Sequence, residues 1–167
     1  MDTLINNAGV FIGKPFTEYS AADYALATSV NLTGFFFITQ RAIAQMLAQG
    51  GSPGGGHVVN VTTTLVEQAD SHFPSAMASL TKGGLASVTK SLAIEYARNG
   101  IRVNAISPGV IGTPMHSASD LAAFGDLHPL GRVGSVDDIV TGIRYLESAT
   151  FVTGEFLHID GGQSAGH

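Results

Sequence analysis

Short apolar runs alternate with long segments of helical periodicity along the chain. Four runs have the length and residue types of buried strands, at residues 4–5, 57–61, 101–107 and 154–159. Three longer segments have the spacing of helices, at about residues 20–49, 74–98 and 135–148. Buried strands that alternate with helices form parallel sheets covered on both faces. We therefore predict an α/β fold, part of a doubly wound parallel sheet, as a single domain over residues 1–167.

Local signals mark the ends of the predicted helices. A Ser-x-x-Asp sequence with the spacing of a capping box opens the first helix at Ser20 and the third at Ser135. Gly100 follows the second helix and suits a left-handed C-cap. The segment 111–132 has no such periodicity, and we expect a loop there with one helical turn near residues 120–123.

The composition indicates an excess of apolar surface. Apolar residues make up 44% of the 167 residues and charged residues 13%, with a mean hydropathy of +0.24. This charged share is about half of the quarter that is usual in soluble domains. We therefore expect part of the surface to be buried against another subunit, in a homo-oligomer such as a dimer or tetramer.

Charge and residue usage argue against several classes of partner. The net charge is −5 and the eight Lys and Arg are scattered, so we expect no nucleic acid partner. The longest strongly apolar stretch, residues 34–38, is too short to span a bilayer, and residues 1–3 do not resemble the start of a signal peptide. The absence of cysteine excludes disulfides and thiolate metal sites, and we predict no metal site. The simplest location is the cytoplasm.

The sequence lacks the Gly-rich phosphate-binding turn that is typical of its fold class. Dinucleotide-binding domains open with a strand, a Gly-rich turn and a helix, whose backbone N–H groups hold the pyrophosphate. No such unit precedes the strand at residues 4–5. The dense glycine run at residues 50–56 leaves a helix and enters a strand, which is the reverse of the required order. We interpret it as a connection, and we expect the phosphate-binding half to be absent from this truncated chain.

Four stretches, taken in order, resemble the short-chain dehydrogenase/reductase family. They are residues 6–9 (NNAG), 31–34 (NLTG), 79–109 (from SLTKGG to ISPG) and 153–162 (TGE to IDGG). Enzymes of this family have a Rossmann-like fold and move a hydride between the nicotinamide of NAD or NADP and a carbonyl or alcohol carbon. The resemblance therefore implies a nicotinamide cofactor and a small carbonyl or alcohol substrate.

The resemblance also implies roles for particular residues. Lys82 would hold the ribose hydroxyls of the nicotinamide and lower the pKa of a Tyr four residues earlier. Asn31, a poor helix former, would bend its helix and hold a water that passes protons to Lys82. Each of these positions also has a purely structural interpretation. Residues 7–9 would form a tight turn, Asn31 would bond a neighbouring backbone carbonyl, and Lys82 would be a solvated lysine on a surface helix. The implied cofactor contacts are Asn7, Ala8, Gly9, Lys82, Pro108, Gly109, Val110 and Thr113.

The sequence departs from the family at its acid/base. The position four residues before Lys82 is Ala78, whose methyl group cannot transfer a proton. Thr63 matches the Ser that hydrogen-bonds the substrate oxygen, with Thr62 and Thr64 as close alternatives. His72 and His116 are further candidates for a proton donor. His72 lies in the same predicted loop as these threonines, and imidazole side chains ordinarily titrate near neutrality, whereas His116 lies in the segment that would cover the substrate.

Three functions follow as expectations. The first is an NAD(P)-dependent oxidoreductase, with this chain alone inactive. The second is a non-catalytic relative that binds partners or forms oligomers. The third is a truncated product without function. The substrate is not readable, because the covering segment 111–132 is a variable kind of loop.

Overall fold

A single parallel sheet organises the chain. The structure is a computed structural model that describes residues 1–50, 55–71, 73–117 and 123–166. The strands follow the order of the chain, with each strand parallel to the next. Every predicted strand is found within two residues of its expected limits, which confirms the α/β fold. The strands are β1 (Thr3–Asn6), β2 (His57–Val61), β3 (Arg102–Pro108) and β4 (Phe156–Ile159).

The main helices begin and end where the capping signals indicate. Ser20 and Ser135 each form a complete capping box, and Gly100 adopts a left-handed conformation with φ 73° after the helix Ala76–Tyr96 and a short 3-10 turn. The helices are α1 (Ala21–Thr28), α2 (Phe35–Ala48), α3 (Ala76–Tyr96) and α4 (Val136–Ser148). The helical turn expected near residues 120–123, the connection at 50–56 and His72 lie wholly or partly outside the described residues.

The prediction of one continuous helix over residues 20–49 is wrong in its middle. Residues Ser29–Gly34 form a π-helical segment between α1 and α2. The side chain of Asn31, buried within this segment, exchanges two hydrogen bonds with the backbone of Val10. These tertiary bonds explain the wider turn. Such π segments are uncommon and often mark functional positions.

Apolar packing covers the sheet on both faces. On one face, Ile43 and Met46 of α2 and Ala93 of α3 pack on Val58 and Val103 of the central strands. On the other face, α4 packs on the sheet through Leu146 and its neighbours, against Val59 and Ile106. The sheet therefore carries helices on both sides, as the sequence pattern predicts, and its carboxyl-terminal edge is left for a site.

None of the helices among the described residues is long and apolar enough to cross a membrane.

Candidate functional site

A cavity of about 230 Å³ opens at the carboxyl ends of β1, β2 and β3. Open parallel sheets bind ligands at this edge. Apolar side chains dominate the lining, and a few polar groups converge on it, as in most small-molecule sites. The predicted site residues that line the cavity are Asn7, Gly9, Thr63, Lys82, Pro108, Gly109, Val110 and Thr113.

Buried amides fix the ends of the strands that carry this edge. The Nδ2 atom of Asn6 donates to Oδ1 of Asn60 at 2.8 Å and to the hydroxyl of Thr39 at 2.9 Å. The Nδ2 atom of Asn60 donates in turn to the hydroxyl of Thr89 at 2.8 Å. This network joins β1 to β2, α2 and α3 within the core. The sequence offers no signal for it, because the partners are 29 to 54 residues apart.

Asn31 lies behind the cavity wall and does not line the cavity. Its Oδ1 accepts from the N–H of Val10 at 2.9 Å, and its Nδ2 donates to the carbonyl of Val10 and the hydroxyl of Thr81, each at 3.0 Å. A methyl group built on Gly9 would lie 3.1 Å from Nζ of Lys82 and 3.6 Å from Oδ1 of Asn31. Gly9 therefore lets both side chains approach its backbone. Ala8, also a predicted contact, is exposed and does not line the cavity.

Lys82 is a half-buried cation at the cavity wall. Its Nζ donates to the carbonyl of Val61 at 2.8 Å, and no described carboxylate forms an ion pair with it. Burial lowers the pKa of Lys82 to about 8, because the apolar surroundings disfavour the charged form. The alternative of a solvated surface lysine does not fit this environment.

Hydrogen bonding separates the three threonines after β2. The hydroxyl of Thr62 donates to the carbonyl of Ile106, and that of Thr64 donates to Oε1 of Gln163; both side chains are buried. The hydroxyl of Thr63 accepts from the N–H of Leu65 at 3.4 Å, and its proton has no acceptor among the described residues. Thr63 is therefore the threonine best placed to donate to a ligand in the cavity.

Ala78 leaves the cavity wall without a proton donor at the expected position. Its methyl group lines the cavity one helical turn before Lys82. His116 also lines the cavity, and its ring packs edge-on against Phe124 at 5.7 Å between centroids. The candidate His72 lies outside the described residues.

His128 fixes the loop after β3, a role that sequence reasoning missed. The backbone N–H of Val110 donates to Nε2 of His128 at 3.0 Å, so the ring proton lies on Nδ1, which donates to the carbonyl of Phe124 at 3.0 Å. The imidazole is 3% exposed. A methyl group on Gly109 would lie only 2.6 Å from Nε2, so this close approach requires glycine. The partners are 18 residues apart in a segment without periodicity, which explains why the sequence gives no signal.

Comparisons with known proteins identify the family. A family model described as enoyl-(acyl carrier protein) reductase matches residues 1–164. The chain is 36% identical to 3-oxoacyl-[acyl-carrier-protein] reductase FabG of Aquifex aeolicus over 97% of its length. It is also 36% identical to 3beta-hydroxysteroid dehydrogenase 1 of Eggerthella lenta over 98% of its length. The chain therefore belongs to the short-chain dehydrogenase/reductase family. It spans 65% and 64% of the lengths of these two relatives, just under two thirds.

Solved structures confirm the Rossmann-like α/β fold. ElxO with NADP bound is similar with a TM-score of 0.89 and 29% identity, covering 99% of this chain and 68% of that one. A gluconate 5-dehydrogenase from Burkholderia cenocepacia in complex with NADP and tartrate has a TM-score of 0.89 and 29% identity. This match covers 100% of this chain and 66% of that one. The structural relatives thus include proteins that bind nicotinamide cofactors.

Proposed function

We propose that this chain forms the nicotinamide and substrate side of an NAD(P)-dependent oxidoreductase site, and that its own proton transfer is impaired. One observation carries the proposal. Lys82, a cation without a carboxylate partner among the described residues, lines an apolar cavity at the carboxyl ends of three parallel strands. The substrate would be a small carbonyl or alcohol compound. Two of the structural relatives named above, ElxO and the gluconate 5-dehydrogenase, have NADP bound, which supports the proposal.

The residues around the cavity fit the nicotinamide end of such a cofactor. The Nζ atom of Lys82 offers hydrogen-bond donors to ribose hydroxyls, and Gly9 and Gly109 keep the walls free of side chains. The backbone of Val110, held by His128, lies at the same wall. When bound, the cofactor supplies or accepts the hydride. The residues that would hold the cofactor are Asn7, Gly9, Lys82, Pro108, Gly109, Val110 and Thr113. The exposed Ala8 would contact it from outside the cavity.

The chain's own residues then orient the substrate and hold protons. The hydroxyl of Thr63 would donate to the substrate oxygen, and Asn31, which bonds Thr81 next to Lys82 in the chain, would hold the backbone of α3 at this position. Ala78 supplies no proton, so protonation of an alkoxide would depend on solvent, on Lys82 or on His116. General acid–base catalysis contributes about 10²–10⁴-fold, and we expect that part of the rate to be largely absent.

A titration with NADH and with NADPH tests the cofactor part of the proposal. Bound reduced nicotinamide is followed by its fluorescence, with the wild-type chain, Lys82→Met and Lys90→Met. Lys90 is a matched control, because it is an exposed lysine on the same helix. We expect Lys82→Met to weaken binding by about tenfold, the value of one charge-assisted hydrogen bond, and Lys90→Met to leave it unchanged. Equal binding by all three proteins, or none by the wild type, would reject the proposal.

A second function, as an oligomer-forming relative without catalysis, rests on a different surface. Large apolar side chains are exposed on α2 and α3, among them Phe36, Phe37, Leu80 and Ile94, the last at 79%. Isolated exposed apolar residues are ordinary, but groups of them indicate an interface. Here the rings of Phe36 and Phe37 contact each other at 5.4 Å between centroids, and the helical spacing places Leu80 and Ile94 on one face of α3. We propose that these helices pair two copies of the chain. The cytoplasmic location stays a prediction.

Light scattering after size exclusion tests this pairing. Ile94→Glu places a charge in the proposed interface, whereas Thr141→Glu changes an exposed polar position on α4, which covers the other face of the sheet. We expect the wild type and Thr141→Glu to have the mass of a dimer or tetramer and Ile94→Glu to have a lower mass. A monomeric wild type would reject the pairing.

A further inference from the structure

The cavity combines many apolar side chains with a smaller number of polar ones. Its apolar side chains come from four segments and include Phe11, Leu65, Phe73, Ala78 and Met115. Elsewhere, an engineered apolar cavity of about 150 Å³ binds benzene. The 230 Å³ of this cavity is therefore sufficient for a six-membered aromatic ring with a substituent.

Two polar groups of the cavity, Lys82 and Thr63, offer donors near the end of β2, since Lys82 bonds the carbonyl of Val61, two residues before Thr63. The Nζ atom of Lys82 has one hydrogen-bond acceptor among the described residues, the carbonyl of Val61, and it carries three protons. The hydroxyl proton of Thr63 has no described acceptor. Thr62 and Thr64, whose hydroxyls already donate elsewhere, do not compete for a ligand. A ligand that complements these two donors presents an oxygen that accepts hydrogen bonds.

Electrostatics favour an oxygen with acidic character. Lys82 is a half-buried cation without a carboxylate partner among the described residues, and its burial is unfavourable for the charge. An oxygen that carries negative charge offsets this cost, whereas a neutral alcohol does so much less. A phenol meets both requirements, since its hydroxyl is far more acidic than that of an aliphatic alcohol and its ring is apolar.

We propose that this cavity binds a small phenol, with the ring against Ala78 and Phe73 and the oxygen on Nζ of Lys82 and the hydroxyl of Thr63. The small side chain of Ala78 leaves room for the ring one helical turn before the cation. The inference goes beyond the proposed function, because it requires neither a nicotinamide cofactor nor turnover. The positive charge of Lys82 stabilises a negative charge on the ligand oxygen, so binding shifts the ionisation of the phenol toward phenolate.

A calorimetric titration of the cofactor-free chain with p-cresol tests the proposal, with toluene and 4-methylcyclohexanol as matched ligands. Toluene lacks the oxygen, and 4-methylcyclohexanol has the oxygen without the aromatic ring or the acidity. We expect p-cresol to bind at least about tenfold more tightly than either, as a hydrogen bond to a charged group allows. Its ultraviolet absorption should shift toward that of phenolate on binding. Equal affinity for the three ligands, or no binding of p-cresol, would overturn the proposal.

Three variants localise the binding. Ala78→Tyr fills the space with a ring from the chain itself and should abolish p-cresol binding. Ser87→Tyr adds the same ring on the exposed side of α3 and should leave binding unchanged. Lys82→Met should reduce the affinity for p-cresol to that for toluene and remove the absorption shift. The comparison of the three ligands uses only the wild-type chain, so it tests the proposal even if a variant fails to fold. The cofactor titration is separate, so failure of one proposal is distinguishable from failure of the other.

Discussion

Lys82 lies one helical turn after Ala78 on α3, and both side chains line the same cavity. The spacing places a cation where it would assist a proton-transferring group at position 78. The methyl group of Ala78 transfers no proton, so the cavity retains the assisting charge without the group it would assist. This relationship leads to the predictions that follow.

Restoring a phenol at position 78 should raise turnover. With any ketone for which oxidation of NADPH by the wild-type chain is measurable, we expect Ala78→Tyr to increase the rate by about 10²–10⁴-fold, the usual contribution of general acid–base catalysis. Ala78→Phe adds the ring without the hydroxyl and should give no increase. Equal rates for the Tyr and Phe variants would show that position 78 has no role in proton transfer here.

The charge of Lys82 should lower stability at neutral pH. Burial lowers its pKa in the folded chain to about 8, whereas an unfolded Lys titrates near 10.4. Between these values the unfolded chain binds more protons, so the free energy of unfolding should rise with pH by about 1–3 kcal/mol. The destabilisation is complete below the folded pKa and is relieved progressively as the pH rises from that value to the unfolded pKa.

Urea unfolding at about pH 7 and about pH 9.5 measures this rise. We expect it in the wild type and in Lys90→Met, and we expect Lys82→Met to lack it. The same pH dependence in Lys82→Met as in the wild type would assign the effect to another group.

Removal of the His128 imidazole should release the loop after β3. His128→Ala leaves the N–H of Val110 without its acceptor, at a cost of about 1–3 kcal/mol in the free energy of unfolding. Hydrogen exchange at the Val110 amide should become faster. His128→Gln keeps an acceptor and should retain part of the protection. Unchanged exchange in His128→Ala would mean that the loop is held by other contacts.

Features with a local cause were predictable from the sequence. The capping boxes at Ser20 and Ser135 and the left-handed Gly100 depend on neighbouring residues, and the structure confirms them. The relation between Ala78 and Lys82 follows from helical spacing alone. The assignment of catalytic and cofactor-binding roles to these positions stays a prediction.

Features with a distant cause were not predictable. The family resemblance implies a bend at Asn31, but the π-helical segment is held by bonds between Asn31 and Val10, 21 residues apart, which helical periodicity does not indicate. The choice of Thr63 among three adjacent threonines depends on Ile106 and Gln163, which occupy the hydroxyls of the other two. Such distinctions require the tertiary contacts themselves.

The most direct test of the nicotinamide site is the map of backbone amide shifts when NADH is added to the isotopically labelled chain. We expect shifts at the carboxyl ends of the strands, at Gly9, Thr63 and Val110, and none at Thr3 or Arg102 at the opposite ends. The Lys82→Met variant should show weaker shifts at the same positions. Shifts confined to the opposite edge of the sheet, or none at saturating NADH, would contradict a nicotinamide site in this cavity.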